Sequence, residues 1–203
     1  MFKASKIHSR VRIFLLLIII FLVVTNSASA STLNLGEERY RFRGFWVDSN
    51  EGDLITFDLG YGLDQYSGLG LRVLAPANIE RGIIELEYQF VPEDLQEEQE
   101  GEEPNYAFKF GGTNATIIEE QFAVKTGFII EDEFDYYNLY FDTNLYLQGL
   151  TMNLEDLLVN VELGITRELM PGVDLLFGYS ALTTPSDEID IIHGAKYGLE
   201  LKF

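Results

Sequence analysis

The stretch YNLYFDTNLYLQ, residues Tyr137–Gln148, decides the fold. Tyr137, Leu139, Phe141, Thr143, Leu145 and Leu147 fall on one side of an extended chain, and Asn138, Tyr140, Asp142, Asn144, Tyr146 and Gln148 on the other. A period of two belongs to a strand, whose successive side chains point to opposite faces. The segment is also long beside the roughly 5–6 residues of an ordinary soluble strand. It meets the roughly 9–11 that a tilted strand needs to cross a bilayer.

The alternation recurs in both directions from it. Ile55, Phe57, Leu59, Tyr61 and Leu63 alternate with Thr56, Asp58, Gly60 and Gly62, and Ile84, Leu86, Tyr88 and Phe90 with Glu85, Glu87 and Gln89. Phe122, Val124, Thr126, Phe128 and Ile130 alternate with Ala123, Lys125 and Gly127; Leu157, Val159, Val161, Leu163 and Ile165 with Asn160, Glu162 and Gly164. Val173, Leu175, Phe177 and Tyr179 oppose Asp174, Gly178 and Ser180. Arg39–Asp48, Tyr66–Ala75 and Tyr106–Gly112 carry weaker versions, and with the last strand the total is ten. Between these runs lie DSNEGD from Asp48, APAN from Ala75, MPGV from Met170 and TTPSDE from Thr183, all rich in turn formers. No segment pairs a helix cap with apolar residues at three- and four-residue spacing. PEDLQEEQEGEEPN, Pro92–Asn105, buries no core and its like charges repel, so it reads as a solvated acidic loop within one domain.

The chain opens with Lys3, Lys6, Arg10 and Arg12, continues through IFLLLIIIFLVV, Ile13–Val24, and reaches SASA before Ser31. That order is a secretory signal peptide, residues 1–30, with cleavage expected after Ala30; the apolar run is shorter than the roughly 20 residues of a spanning helix. Cleavage leaves residues 31–203 as a single domain. It removes four of the 14 basic residues and none of the 33 acidic ones, taking the net charge from −19 to −23. Nothing resembles the basic surface that phosphate neutralisation requires, so nucleic acid is excluded as a partner. Cysteine is absent, and an exported chain of this kind holds its fold without disulfides.

Alternation alone leaves open whether the apolar face meets a protein core or lipid, because a soluble sandwich and a membrane barrel share the period. Three features favour lipid. The polar face mixes its side chains with Gly60, Gly62, Gly68, Gly70, Gly127 and Gly164, which suits a narrow lumen. Tyrosine and phenylalanine cluster near strand ends, where rings sit at membrane interfaces. The third feature is the ending, KYGLELKF. Lys196, Gly198, Leu201 and Phe203 have the spacing of the C-terminal insertion signal of bacterial outer-membrane β-barrel proteins, and the chain resembles that broad class over these eight residues. The resemblance implies recognition by the barrel assembly machinery and a place in the outer membrane of a Gram-negative-type envelope. RELMPGVDLLFGYS, Arg167–Ser180, with its short Pro–Gly turn, is similar to the periplasmic hairpins of small barrels in that class.

The expected fold is therefore all-β, a transmembrane antiparallel up-and-down β-barrel. With both termini on the periplasmic side the strand number is even. Ten follows from the count and puts the acidic loop, residues 92–105, in the periplasm. Eight would follow if Arg39–Asp48 were no membrane strand and Tyr106–Gly112 belonged to an outer excursion; ten is preferred.

Parity directs Glu85, Glu87, Asp142, Glu162 and Asp174 inward, toward Arg72, Lys125, Lys196 and Lys202. In so narrow a barrel these groups are expected to pair and fill the lumen, with Lys125, Asp142, Glu162, Asp174 and Lys196 as its charge network. His193, the only histidine after residue 30, shares the lipid-facing side with Ile191 and Tyr197, and no serine lies in a nucleophile-elbow pattern. One histidine without cysteine does not make a zinc site. The acidic run Glu93–Glu103 lacks the spaced glycine turn of a calcium loop and is expected to attract divalent cations only diffusely. Asn114, Ala115 and Thr116 form a glycosylation triplet, a common accident of little meaning in a bacterial chain. The expectation is a non-enzymatic barrel without metal or cofactor, structural or interaction-related, in contact with outer-membrane lipid. The competing readings are a narrow cation-preferring pore, suggested by the carboxylate excess, a barrel enzyme, and a soluble periplasmic β-barrel carrier.

Overall fold

Period-two patterning becomes ten strands: β1 (Tyr40–Ser49), β2 (Leu54–Asp64), β3 (Ser67–Pro76), β4 (Ile83–Phe90), β5 (Tyr106–Thr113), β6 (Ala123–Phe134), β7 (Tyr137–Gln148), β8 (Leu157–Met170), β9 (Val173–Thr183) and β10 (Ile192–Lys202). A single turn of helix, α1 (Glu93–Gln96), follows β4. The computed structural model describes residues 33, 35–50, 52–76, 83–96, 105–114, 122–134, 137–148, 157–183 and 192–203. The signal-peptide reading of residues 1–30 lies outside them.

Each strand pairs antiparallel with its sequence neighbours, and β1 pairs with β10, closing the barrel. The weaker segments beginning at Arg39 and Tyr106 are both wall strands, so the alternative count of eight is set aside. The seam runs from Arg41 opposite Lys202 to Ser49 opposite Gly194. It is locked at its end by a reciprocal pair of backbone bonds: Tyr40 N–H donates to the Phe203 carbonyl at 2.8 Å, and Phe203 N–H to the Tyr40 carbonyl at 3.0 Å. The terminal ring stacks on Tyr40, centroids 5.8 Å apart, and Tyr40 meets Tyr61 at 4.8 Å. Phe203 thus extends the ladder with its backbone while its ring joins a girdle of aromatics at that end. The girdle continues through Tyr88, Phe90 and Phe108, and through Phe134 with Tyr137.

Connections at this terminus end are tight, with only Gln65–Tyr66 between β2 and β3, residues 135–136 between β6 and β7, and Pro171–Gly172 between β8 and β9. At the first of these, Asp64 accepts from Tyr66 N–H (2.8 Å) and from the Ser67 hydroxyl (2.7 Å). The exception is the acidic segment from Pro92, which ten strands place at the terminus end. Its start is not simply solvated, because Leu95 of α1 packs on a buried apolar cluster and the Gln96 amide donates to the Val91 carbonyl at 2.7 Å. The five other connections lie at the opposite, far end.

The wall is inverted relative to a soluble protein. Exposed side chains include Leu59, Leu69, Leu86 (61 %), Phe110 (57 %), Phe128, Leu163 and Phe177, whereas Lys109, Lys125, Asp142 and Glu200 are buried. Along the outward face of every strand, charged side chains stand only near the ends, at Asp48, Asp132 and Arg167. The inward face is less uniform than alternation suggests. It carries charges at mid-height, but Phe45, Val47, Leu74, Ile83, Ile129, Leu158, Leu176 and Leu182 also point inward and are buried. Sequence parity sorts residues by side of the wall but does not say how high along the axis an inward side chain sits.

Two glycines make room for the largest inward ring. A Cβ on Gly164 would lie 2.5 Å from the Tyr140 ring, and one on Gly178 would lie 3.0 Å from its hydroxyl. Tyr140, from β7, therefore lies flat across β8 and β9 and packs with Phe45 and Leu176. Gly164→Ala is expected to destabilise the barrel by about 1–3 kcal/mol through overpacking, and Tyr140→Ala in the same chain should relieve most of that added cost. Urea unfolding of all four forms in a double-mutant cycle checks it; simple additivity would show that the contact is not made.

Candidate functional site

The lumen concentrates most of the basic residues that follow residue 30, which number ten in the sequence. Among the described residues, Arg41, Arg43, Arg72, Lys109, Lys125, Lys196 and Lys202 point inward, against Asp58, Glu85, Glu87, Glu131, Asp142, Glu162, Asp174 and Glu200. That is seven cations to eight anions. A buried charge is tolerated only when it is paired and hydrogen-bonded, and the near-balance explains why so acidic a chain can fill its barrel with ions. Most of the remaining carboxylates belong, in sequence, to the stretches between strands.

Arg72 is the hub. On β3, its guanidinium makes a forked pair with Asp58 of β2, Nε to Oδ1 at 2.9 Å and Nη2 to Oδ2 at 3.1 Å. Its Nη1 lies 3.9 Å from Glu85 of β4 and 3.8 Å from Glu162 of β8. In a ring of ten strands β3 and β8 are diametrically opposed, so one side chain bridges the lumen from wall to wall. Arginine suits this task because its planar fork serves several carboxylates at once. Asp58 also holds Arg43 Nη2 at 2.9 Å.

Lysines fasten the remaining carboxylates. Lys196 of β10 bonds Glu162 at 2.5 Å and stands 3.8 Å above the Phe45 ring, a cation–π contact. Asn160 also donates to Glu162, at 3.3 Å. Lys125 of β6 reaches Glu87 at 2.7 Å and Glu85 at 3.1 Å, and the Tyr146 hydroxyl donates to Glu85 at 3.2 Å. Lys109 bonds Asp142, which also accepts from Asn144 at 3.0 Å. Nearer the terminus end, Lys202 bonds Asp174 at 2.6 Å and lies 3.6 Å from Glu200, with Arg41 at 3.9 Å on the other side.

Of the five expected network residues, Lys196 and Glu162 bond each other, Lys125 takes Glu85 and Glu87, Asp142 takes Lys109, and Asp174 takes Lys202. They are therefore brought together as parts of a larger web. Arg41, Arg43, Asp58, Lys109, Glu131 and Glu200 were not singled out from sequence. Parity was the available signal, since all but Glu131 alternate with uncharged outward neighbours, but Arg41, Arg43 and Lys109 lie in weakly patterned strands. The residues read from sequence as an insertion signal sit on or beside the seam strand: Lys196 and Gly198 inward, Leu201 opposite Phe42, and Phe203 on Tyr40.

His193 is on the outer wall near the far end. Its Nδ1 shares a hydrogen bond with the Tyr179 hydroxyl, and its backbone N–H donates to Asn50 Oδ1 at 2.9 Å. Asn114 extends the β4–β5 ladder, accepting from Ile84 N–H at 2.6 Å through its side chain. Among the described residues, no group of His, Cys, Asp and Glu is arranged to hold a metal ion.

No protein-family model and no characterised protein matches the chain in sequence. Solved structures similar to it include a de novo designed transmembrane β-barrel (TM-score 0.42, 8 % identity, 84 % of this chain and 100 % of that one). The N-terminal β-barrel domain of Pseudomonas aeruginosa OprF is also similar (0.41, 12 %, 83 % and 99 %), as is Neisserial surface protein A, NspA (0.37, 14 %, 81 % and 95 %). Closure and strand number follow from this chain's own pairing, independent of those likenesses.

Removing one partner of a buried pair leaves an uncompensated charge and costs about 3–5 kcal/mol. Lys196→Met is expected to destabilise the barrel by that amount, and adding Glu162→Gln should recover at least half of it. Equilibrium unfolding in urea checks both; a double variant as unstable as the single would show that Lys196 and Glu162 are not coupled.

Proposed function

We propose that this chain is a small outer-membrane β-barrel of structural or interaction type, whose lumen is closed by its own side chains and whose working parts are its surface connections. The observation that carries the reading is the inversion of polarity across the wall: ions inside, and outside a band of leucine, isoleucine and phenylalanine free of charge except near strand ends. Such a surface is unstable in water and matched to acyl chains. Closure supports it as well, since hydrocarbon tolerates no unpaired strand edge. The soluble-carrier reading would need an apolar interior and a polar exterior, the reverse of this arrangement.

Arg72 spanning from Asp58 to Glu162 supports a plugged cylinder in preference to a pore. The near-balance of lumenal charge among the described residues, seven cations to eight anions, gives little support to a cation preference. His193, bonded to Tyr179 on the outer wall, supports a non-catalytic role. The terminus end faces the periplasm in this reading, and the final strand is the element offered to the barrel assembly machinery. The far-end connections, which contain Glu51, Asp53, Glu80, Glu119, Glu120, Glu155, Asp156, Asp187, Glu188 and Asp190 against Arg81, face outward. They would bind divalent cations diffusely, as would the acidic segment at the other end.

Two measurements test this. In planar bilayers the refolded protein is expected to give no stepwise conductance; discrete steps would replace the plugged barrel by the pore. Leu163→Arg, an outward position half-way along β8, is expected to weaken folding into lipid vesicles by about 2–4 kcal/mol, and an unchanged stability would place that face outside the lipid.

A further inference from the structure

Two neighbouring rows of inward residues cross the same strands side by side and are filled differently. In the first, Glu200 of β10 stands opposite Arg43 of β1, Arg43 opposite Asp58 of β2, Asp58 opposite Arg72 of β3, and Arg72 opposite Glu85 of β4. Every position carries an ion. The next row toward the terminus end runs Lys202, Arg41, Gly60, Gly70 and Glu87 on those strands. Its middle has no side chains, between a guanidinium on one side and a carboxylate on the other. Glycine inside a strand gives up packing and often marks a place that another group approaches closely.

A cavity lies in this gap. Its lining includes Gly70 and Glu87 of the second row and Arg43, Asp58, Arg72 and Glu85 of the first. Its free space holds about one water molecule. Arg41 flanks it on the other side of Gly60, and Glu200 faces Arg43 across the seam. These flanking ions are incompletely bonded. Arg41 is 5 % exposed and Glu200 0 %, yet all three guanidinium nitrogens of Arg41, Nε of Arg43 and both carboxylate oxygens of Glu200 have no hydrogen-bond partner among the described residues. Arg41 Nε lies 3.9 Å from Glu200 Oε1, and Lys202 Nζ lies 3.6 Å from the same oxygen. Both separations are too long for a hydrogen bond. Buried polar groups in this condition are completed by ordered water, which bonds to several unsatisfied atoms at once.

Chemistry selects the occupant. The arginine N–H groups need an acceptor, and the Glu200 oxygens need a donor. An anion serves only the first and a cation only the second. The local charges are already matched, Arg41, Arg43 and Lys202 against Asp58, Asp174 and Glu200. Water, which is neutral, both accepts and donates. We propose that the Gly60–Gly70 gap and the seam beside it form a binding site for ordered water, which accepts from Arg41 and Arg43 and donates to Glu200, so that a hydrated ion pair joins β1 to β10. The inference rests on the reading of the lumen as filled by its own side chains and adds confined water to that filling. One strand then carries both kinds of contact: Lys196 meets Glu162 directly, and Glu200 meets Arg41 through water.

The unmodified protein, uniformly labelled with the heavy nitrogen isotope and refolded in deuterated detergent micelles, tests this by NMR. Through-space transfer of magnetisation from water, separated from chemical exchange in the rotating frame, is expected to reach the Nε–H groups of Arg41 and Arg43. It is not expected to reach the backbone N–H of Leu158, buried in the apolar cluster toward the far end. Arg41→Lys and Arg43→Lys identify the two resonances by their loss. Absence of transfer to Arg41, or equal transfer to Leu158, would overturn the proposal. Exchanging chloride for bromide or nitrate in the buffer is expected to leave both arginine resonances in place; a shift would assign the site to an anion and overturn it as well. In crystals, ordered solvent density within hydrogen-bonding distance of Arg41 and Glu200 is expected, and a direct bond between those two side chains in its place would refute the hydrated pair. Planar-bilayer recording separates this from the broader reading. Discrete conductance steps, with transfer still reaching Arg41 and Arg43 but not Leu158, would remove the plugged lumen and keep the water site.

Discussion

Everything in this molecule depends on the obligation of backbone N–H and C=O groups to pair where water is scarce. Ten strands satisfy it by closing β10 on β1, and the closure is finished by the last residue, whose backbone exchanges bonds with Tyr40. Once the ladder is circular, each strand has one face toward the axis and one away from it. The alternation of side chains then separates two chemistries that could not share a surface. An open sheet of the same sequence would leave both an unpaired edge and an ionic face with no enclosed place to go.

Enclosure changes what the charged residues mean. On a surface, Lys–Glu pairs contribute little because water competes for both partners. Inside a narrow cylinder the same groups must find each other, and most of the described ones do, while Arg41 and Glu200, 3.9 Å apart, keep their charged atoms without a hydrogen-bond partner among the described residues. Arg72 has the greatest reach, joining β2, β4 and β8 through Asp58, Glu85 and Glu162. Charge pairing and physical occlusion are therefore one feature: the side chains that neutralise one another also fill the cross-section. The acidity of the protein as a whole belongs, in sequence, to the stretches between strands.

The lumen is also graded along its axis. Leu33, Leu35, Val91, Ala107 and Ile129 cluster toward the terminus end, ions occupy the middle and, at Lys202 and Asp174, the terminus end of the opposite wall, and Ala123, Tyr146, Leu158 and Leu182, with Ile192, form an apolar cluster toward the far end. Apolar side chains flanking the ionic groups lower the dielectric around them and so strengthen their pairing. The short helix α1 belongs to this scheme, for Leu95 is an apolar foothold in an otherwise acidic segment, and it anchors the start of that segment against the mouth.

Much of this was legible in the sequence. Period-two alternation in segments such as Tyr137–Gln148 determined strand identity and the side of the wall each residue takes, because both are properties of an extended chain and need no tertiary information. The weak segments at Arg39–Asp48 and Tyr106–Gly112 could be counted but not secured, since Arg41, Arg43 and Lys109 look misplaced in a strand until an enclosed lumen exists to receive them. What only the tertiary structure decided is who meets whom across the axis. Arg72 and Glu162 are far apart in the chain and belong to opposite walls, and their approach depends on barrel diameter and stagger, which are set jointly by all ten registers. The placement of Leu33 and Leu35 was illegible for the same reason: they are two unremarkable apolar residues until the ring closes and brings Val91, Ala107 and Ile129 together to receive them.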